Sequence, residues 1–138
     1  MPASWKIYTY GKSTGSSIGG NIQTYYLQAG TSLMPNIKAP IAFLEQAEGA
    51  TALEFARELA HFLQLHPDLQ GLVIGRFPLE NQMSESSLHL ILDKYPILKQ
   101  IPVIYDIDFG HTQPIFTFPL GATVSLSTSP LEIKIASE

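Results

Sequence analysis

The sequence predicts an α/β domain with a central parallel βαβαβ sheet, helices on one side, and an antiparallel layer formed from the two chain ends. Three observations predict it. The short apolar runs Ile41–Leu44, Gly71–Gly75 and Pro102–Tyr105 are continuous rather than alternating, as in strands buried on both faces. Helical patterns separate them, which is the signature of a parallel crossover sheet. Towards both chain ends the texture changes to alternation broken by turn residues.

The elements follow in order. Trp5-Lys6-Ile7-Tyr8-Thr9-Tyr10 alternates and is aromatic and β-branched, so it is expected to be a strand. A glycine-rich loop, GKSTGSSIGGN, is expected over residues 11–21. Ile22 to Leu27 fits a short helix or a strand equally well. Prolines mark Leu33 to Pro40 as a loop, and Ile41-Ala42-Phe43-Leu44-Glu45 as the first buried strand after it. From Thr51 to Gln64, Leu53, Phe55, Ala56, Leu59, Ala60, Phe62 and Leu63 recur at helical spacing. Thr51 is a candidate N-cap, Glu54 completes a capping box, and Pro67 stops the helix. After the strand Gly71–Gly75, residues 76–83 read as a polar loop. Ser84, Ser86 or Ser87 then starts a second helix that runs to Tyr95 and stops at Pro96. Pro102–Tyr105 is the third buried strand. Ile115–Phe118, Ala122–Ser127 and Leu131–Ile135 alternate around Pro119-Leu120-Gly121 and Ser129-Pro130, as antiparallel strands joined by tight turns do.

The 138 residues suffice for one domain, expected over 1–138. Charged residues make up 14% against 45% hydrophobic ones, a sparse charge content that fits a surface partly covered by another domain or subunit. The formal net charge is −4 and the eight Lys and Arg are scattered, which disfavours nucleic acid and anionic membranes as partners. Without cysteine there is no disulfide or thiolate metal site. No apolar stretch is long enough to span a bilayer as a helix, and MPASWKIYTYG lacks the n- and h-regions of a signal peptide.

Ligands of open α/β sheets gather beyond the carboxyl ends of the parallel strands. Glu45 follows the first buried strand, Arg76 the second, and Asp106-Ile107-Asp108-Phe109-Gly110-His111-Thr112 the third. An acid and a histidine on neighbouring strand ends can meet, the acid fixing the tautomer of a histidine that acts as general base. Glu45 with His111 therefore forms two-thirds of a candidate triad; the bland alternative is a hydrogen-bonded turn histidine. His61, His66 and His89 fall on helices and read as packing or surface residues, and no His or acid spacing marks a metal site, so neither metal nor cofactor is expected. Gly11-Lys12-Ser13-Thr14-Gly15 matches the nucleophile-elbow pattern, but no helix start follows it, which disfavours Ser13 as a nucleophile. Lys12 also precedes the glycines that a phosphate loop would place before it. What survives in this stretch is Gly19-Gly20-Asn21: backbone free to approach a ligand, then an amide.

GGNIQTYYLQAGT (19–31), IAFLEQAEG (41–49) and PVIYDIDFGHTQPIFTFPLGA (102–122) together resemble the C-terminal domain of the LD-carboxypeptidase family of serine peptidases, which includes the microcin C self-immunity peptidases. The resemblance covers essentially the whole chain, and the third motif is the most specific. It implies a swivelling β/β/α-type domain and a Ser-Glu-His triad, with Glu45 and His111 as the Glu and His. It implies that Asn21 and Gly20 face the substrate. The serine and oxyanion hole would lie in a separate N-terminal domain with a G-x-S-D motif, absent from these residues. Further implications are a small peptide-like substrate, no cofactor, a cytoplasmic setting, a possible homodimer, and no activity from this chain alone. The substrate would be the L,D-amide of a murein tetrapeptide, or the amide of an aminoacyl-nucleotide antibiotic. A non-catalytic peptide-binding or assembly module is the remaining alternative.

Overall fold

The computed structural model describes residues 5–22, 37–107 and 121–136. Their elements are β1 (Lys6–Thr9), β2 (Lys12–Asn21), β3 (Ile41–Glu45), α1 (Ala52–Leu65), β4 (Gly71–Gly75), α2 (Glu85–Leu92), β5 (Val103–Ile107), β6 (Thr123–Thr128) and β7 (Leu131–Ile135). Short 3-10 turns occupy Leu79–Asn81 and Pro96–Lys99. The strands form one curled, mixed sheet in the order β1-β5-β4-β3-β2-β6-β7. Pairings β2–β3, β3–β4 and β4–β5 are parallel, whereas β1–β5, β2–β6 and β6–β7 are antiparallel. The expected α/β class, parallel core and antiparallel ends are all present. The segment Ile115–Phe118 and most of Ile22–Leu27 lie outside the described residues.

Strand alternation explains why the central runs are apolar throughout. Ala42, Leu44, Leu72, Ile74, Val103 and Tyr105 pack with Phe55, Leu59, Phe62, Leu88 and Leu92 of the helices. Their sequence neighbours Ile41, Phe43, Val73 and Ile104 pack with Val124, Leu126 and Leu131 of β6 and β7. Both faces are covered, so neither register position can be polar.

α1 carries the expected capping box: Thr51 Oγ1 accepts from the Glu54 amide at 3.1 Å, and the Thr51 amide donates to Glu54 Oε1 at 3.0 Å. Such a cap contributes about 1 kcal/mol. Burial of Phe55, Leu59, Phe62 and Leu63 contributes about 1.5–3 kcal/mol for each side chain, so packing holds the helix and the cap sets its start. Ser84 is the cap of α2, accepting from the Ser87 amide at 3.1 Å. α2 stops at Leu92, three residues before the expected Tyr95. The residue before a proline is pushed out of the helical region, and Tyr95 sits at φ −118°, ψ 106°.

The glycine-rich stretch corrects the sequence reading. It is no loop but the ten-residue strand β2. Its first half, Lys12–Ser16, pairs antiparallel with β6 from Ser127 to Thr123; its second half, Ser17–Asn21, runs parallel to Ile41–Glu45. Gly19 takes φ +124°, and a Cβ there would stand 2.1 Å from the Phe43 carbonyl oxygen. The glycine thus permits a close approach between neighbouring strands that any side chain would block.

Candidate functional site

The parallel strands end on one rim. There Asn21 of β2 is the register partner of Glu45 of β3, and Gly20 is that of Leu44. Across the rim the Arg76 amide donates to the Ile107 carbonyl at 3.0 Å, joining the ends of β4 and β5. Of the residues expected to touch substrate or carry chemistry, Gly20, Asn21 and Glu45 are therefore gathered side by side. Glu45 is partly buried. Gly20 takes φ +122° and has open space where a side chain would stand, so bare backbone flanks Asn21 and Glu45. His111 and the whole 108–112 motif lie outside the described residues, four positions beyond the end of β5.

Ser13 occupies the other end of the sheet. It pairs with Leu126 in the antiparallel half of β2, and its hydroxyl stands 3.1 Å from where a Cβ on Gly71 would lie. Gly71 opens β4 opposite Ile41, four residues before Glu45, which is roughly 13 Å along a strand. Ser13 sits inside a strand, not on a strand-to-helix elbow, and lies far from Glu45; both geometry and context oppose a nucleophilic role.

Two polar clusters flank the rim, and neither was singled out from sequence. The first ties down the connection from β3 to α1. Asn81 Nδ2 donates to Gln46 Oε1 at 3.1 Å and to the Ala47 carbonyl at 2.9 Å, while Asn81 Oδ1 accepts from the Gly49 amide at 2.9 Å. Gln46 Nε2 donates to the Thr51 carbonyl at 2.9 Å. Both amides are buried, and Asn81 comes from a stretch that reads as an ordinary polar loop. The second cluster joins β5 to β1 and α2. Tyr105 OH donates to Glu85 Oε2 at 2.6 Å and is 3.0 Å from His89 Nε2, and Lys6 Nζ pairs with Glu85 at 3.2 Å and with Asp106 at 3.8 Å. Lys6, Glu85, Tyr105 and Asp106 border a cavity of about 160 Å3 that Phe77, Met83 and Leu88 also line.

Electrostatics follow from burial and partners. The Tyr105 hydrogen bond, then Lys6, holds the Glu85 carboxyl below its usual range. Burial, then the Glu85 hydrogen bond, raises the Tyr105 phenol, so it stays a donor. Burial pushes Asp106 up, against the opposing pull of Lys6 and Arg76. Asp106 also takes φ +61°, a left-handed conformation uncommon outside glycine, one residue before β5 ends at Ile107. Among the described residues, no group of three or more His, Asp or Glu is arranged to hold a metal ion. No helix among them is long and apolar enough to cross a membrane.

Residues 14–126 match the LD-carboxypeptidase C-terminal domain. A protein of Treponema pallidum provisionally named a carboxypeptidase is 31% identical over 125 residues, 89% of this chain and 37% of that protein. The microcin C7 self-immunity protein MccF of Escherichia coli is 28% identical over 134 residues, 95% of this chain and 39% of that protein. In three dimensions the chain superposes on an MccF-like protein from Bacillus anthracis with a TM-score of 0.90 at 33% identity. That alignment covers 97% of this chain and 43% of the other. The chain thus spans roughly two-fifths of the length of these relatives. By this match, and by its curled mixed sheet, the chain belongs to the LD-carboxypeptidase family and corresponds to its C-terminal domain.

Proposed function

We propose that this chain is one half of a serine-peptidase active site, supplying the Glu and His of a Ser-Glu-His triad. A further N-terminal domain supplies the serine and the oxyanion hole. The observation that carries the reading is the rim on which Asn21 and Glu45 stand in register at the carboxyl ends of β2 and β3, where α/β sheets bind their ligands. Family membership and the two-fifths coverage of longer relatives support it.

In this reading His111 takes the serine proton as the hydroxyl attacks a substrate amide, then returns it to the departing amine. Glu45 orients the imidazole and stabilises its charged form. Asn21 and the open backbone of Gly20 hold the substrate. The substrate is a small peptide-like molecule, and the L,D-amide of a cytoplasmic murein tetrapeptide is the first choice. The work is done in the cytoplasm, in partnership with the N-terminal domain and in a possible homodimer, without cofactor.

A second substrate reading has its own support. MccF, which shares this fold at a TM-score of 0.77 and 26% identity, has been solved in complex with glutamyl sulfamoyl guanosine, an aminoacyl-nucleotide analogue. An aminoacyl-nucleotide amide is therefore the alternative substrate.

The test is complementation. The 138 residues alone are expected to leave both amides intact. Joined to the N-terminal domain of a relative, they should cleave one, and His111→Ala should reduce kcat by at least about a hundredfold. Cleavage that survives His111→Ala would sink the triad. Binding of the peptide without cleavage by any combination would favour a non-catalytic module.

A further inference from the structure

We infer that Asn81 is a positioning residue for Glu45, acting through the connection that follows β3. The inference rests on the triad reading and adds to it a group that touches neither substrate nor nucleophile.

The connection between β3 and α1, residues 46–51, begins at the residue next to Glu45. Its own backbone does little to hold it: the Ala50 amide reaches the Ala47 carbonyl only at 3.4 Å. Gly49 takes φ +86° with open space where a side chain would stand. Asn81 supplies what the backbone lacks. Its single side chain binds the Gln46 side chain, the Ala47 carbonyl and the Gly49 amide, at 3.1, 2.9 and 2.9 Å. Gln46 passes the constraint to the start of α1 through the Thr51 carbonyl.

Asn81 is itself anchored. Its amide donates to the Pro78 carbonyl at 3.0 Å, closing a 3-10 turn, and Pro78 is buried. The preceding Phe77 stands edge-on to Phe55 of α1, with ring centroids 5.0 Å apart. The frame therefore runs from the end of β4, through Phe77 and Asn81, to Gln46 and so to Glu45. Only a planar amide has both the donors and the acceptor this arrangement uses. Both amides are buried, so losing Asn81 leaves Gln46 Oε1, the Ala47 carbonyl and the Gly49 amide to find new partners, and the connection must shift to let them. A carboxylate that orients a histidine works only within a narrow geometry, and a displacement of about 1 Å can cost about a hundredfold in rate.

The experiment compares Asn81→Ala, Gln46→Met and Glu45→Gln with the unsubstituted chain, in two measurements. Amide hydrogen exchange on the 138-residue chain reads the clamp directly, and Asn81→Ala should speed exchange at Gly49 about tenfold or more. Kinetics of the chain joined to the N-terminal domain, with the murein tetrapeptide and an aminoacyl-nucleotide as probes, read the consequence. Asn81→Ala should lower kcat about ten- to a hundredfold while KM changes less than about threefold. Its acid limb should move to lower pH, in the direction of Glu45→Gln, because a displaced carboxylate supports the imidazolium less. Gln46→Met keeps two of the three Asn81 bonds and should show the same changes, smaller, so it decides the matter if Asn81→Ala does not fold. Faster exchange at Gly49 with kcat and the acid limb unchanged would overturn the inference and leave the triad standing. So would a fall in kcat that merely tracks the folded fraction at every pH. If the unsubstituted enzyme cleaves neither probe, the triad reading fails and the positioning role falls with it, whatever Gly49 does.

Discussion

At the scale of single residues, two adjacent glycines show how different constraints look alike in a sequence. Gly19 and Gly20 take nearly the same backbone conformation, φ +124° and +122°. A Cβ on Gly19 would meet the Phe43 carbonyl oxygen at 2.1 Å, whereas one on Gly20 would meet nothing within 4 Å. Gly20→Ala should thus cost only backbone strain, about 1–3 kcal/mol. Gly19→Ala adds a collision between β2 and β3 and should cost upwards of about 4 kcal/mol, enough to unfold a marginal domain. Denaturant unfolding of the two variants checks the order; equal losses would show that β2 can move away from β3. The same pair bears on how far the site was legible. Glu45 stood out because motif and strand end coincide in the sequence, and Gly20 and Asn21 because a glycine pair precedes an amide, although the stretch reads as a loop. Asn81 did not, because its value lies in contacts with residues some 35 positions away. Nothing in Leu79-Glu80-Asn81-Gln82 distinguishes a buried clamp from a solvated loop.

At the scale of elements, the crossover unit from β3 to β5 was legible because its signals are local: continuous apolar runs, a capping box and proline stops. β2 was not, because Gly and Ser have weak strand propensity and the strand exists through its pairing with β3 and β6. A helix end carries a further consequence. His66 is the C-cap residue of α1, buried, with its ring centroid 4.9 Å from that of Phe62. Burial, partly offset by Asp68, lowers its pKa below the ordinary 6.5. The folded state thus favours neutral imidazole, while the unfolded chain takes a proton near 6.5. His66 therefore contributes stability above that pH, which is lost as pH falls through 6.5 towards the depressed folded value. His66→Phe keeps an aromatic ring against Phe62 and removes the titration. The stability difference between the two proteins should change in favour of the variant on acidification from pH 7 to 5, read by denaturant unfolding at each pH. A difference that stays constant would mean that His66 titrates alike folded and unfolded.

At the scale of the whole molecule, the antiparallel end of the chain is what makes a two-faced sheet possible. The helices cover one face, and β6 and β7 return over the other, where Val124, Leu126 and Leu131 seal Ile41, Phe43, Val73 and Ile104. β6 also supplies the partner for Lys12–Ser16, the half of β2 that β3 does not reach. A chain ending before Gly121 would therefore lose a hydrophobic layer and a strand pairing together. The four uncovered side chains of β3, β4 and β5 are fully buried in the fold, and exposing each would cost about 1.5–3 kcal/mol. Their sum reaches the total stability of an ordinary domain. Deleting residues 121–138 should consequently abolish cooperative unfolding, whereas Leu126→Ala, which opens one cavity in the same layer, should cost about 2–5 kcal/mol and keep the transition. Thermal melts followed by circular dichroism distinguish the two. A truncated chain that still melts cooperatively would show that the crossover unit with its two helices folds alone, and that the rim bearing Glu45 does not depend on the sheet's far face.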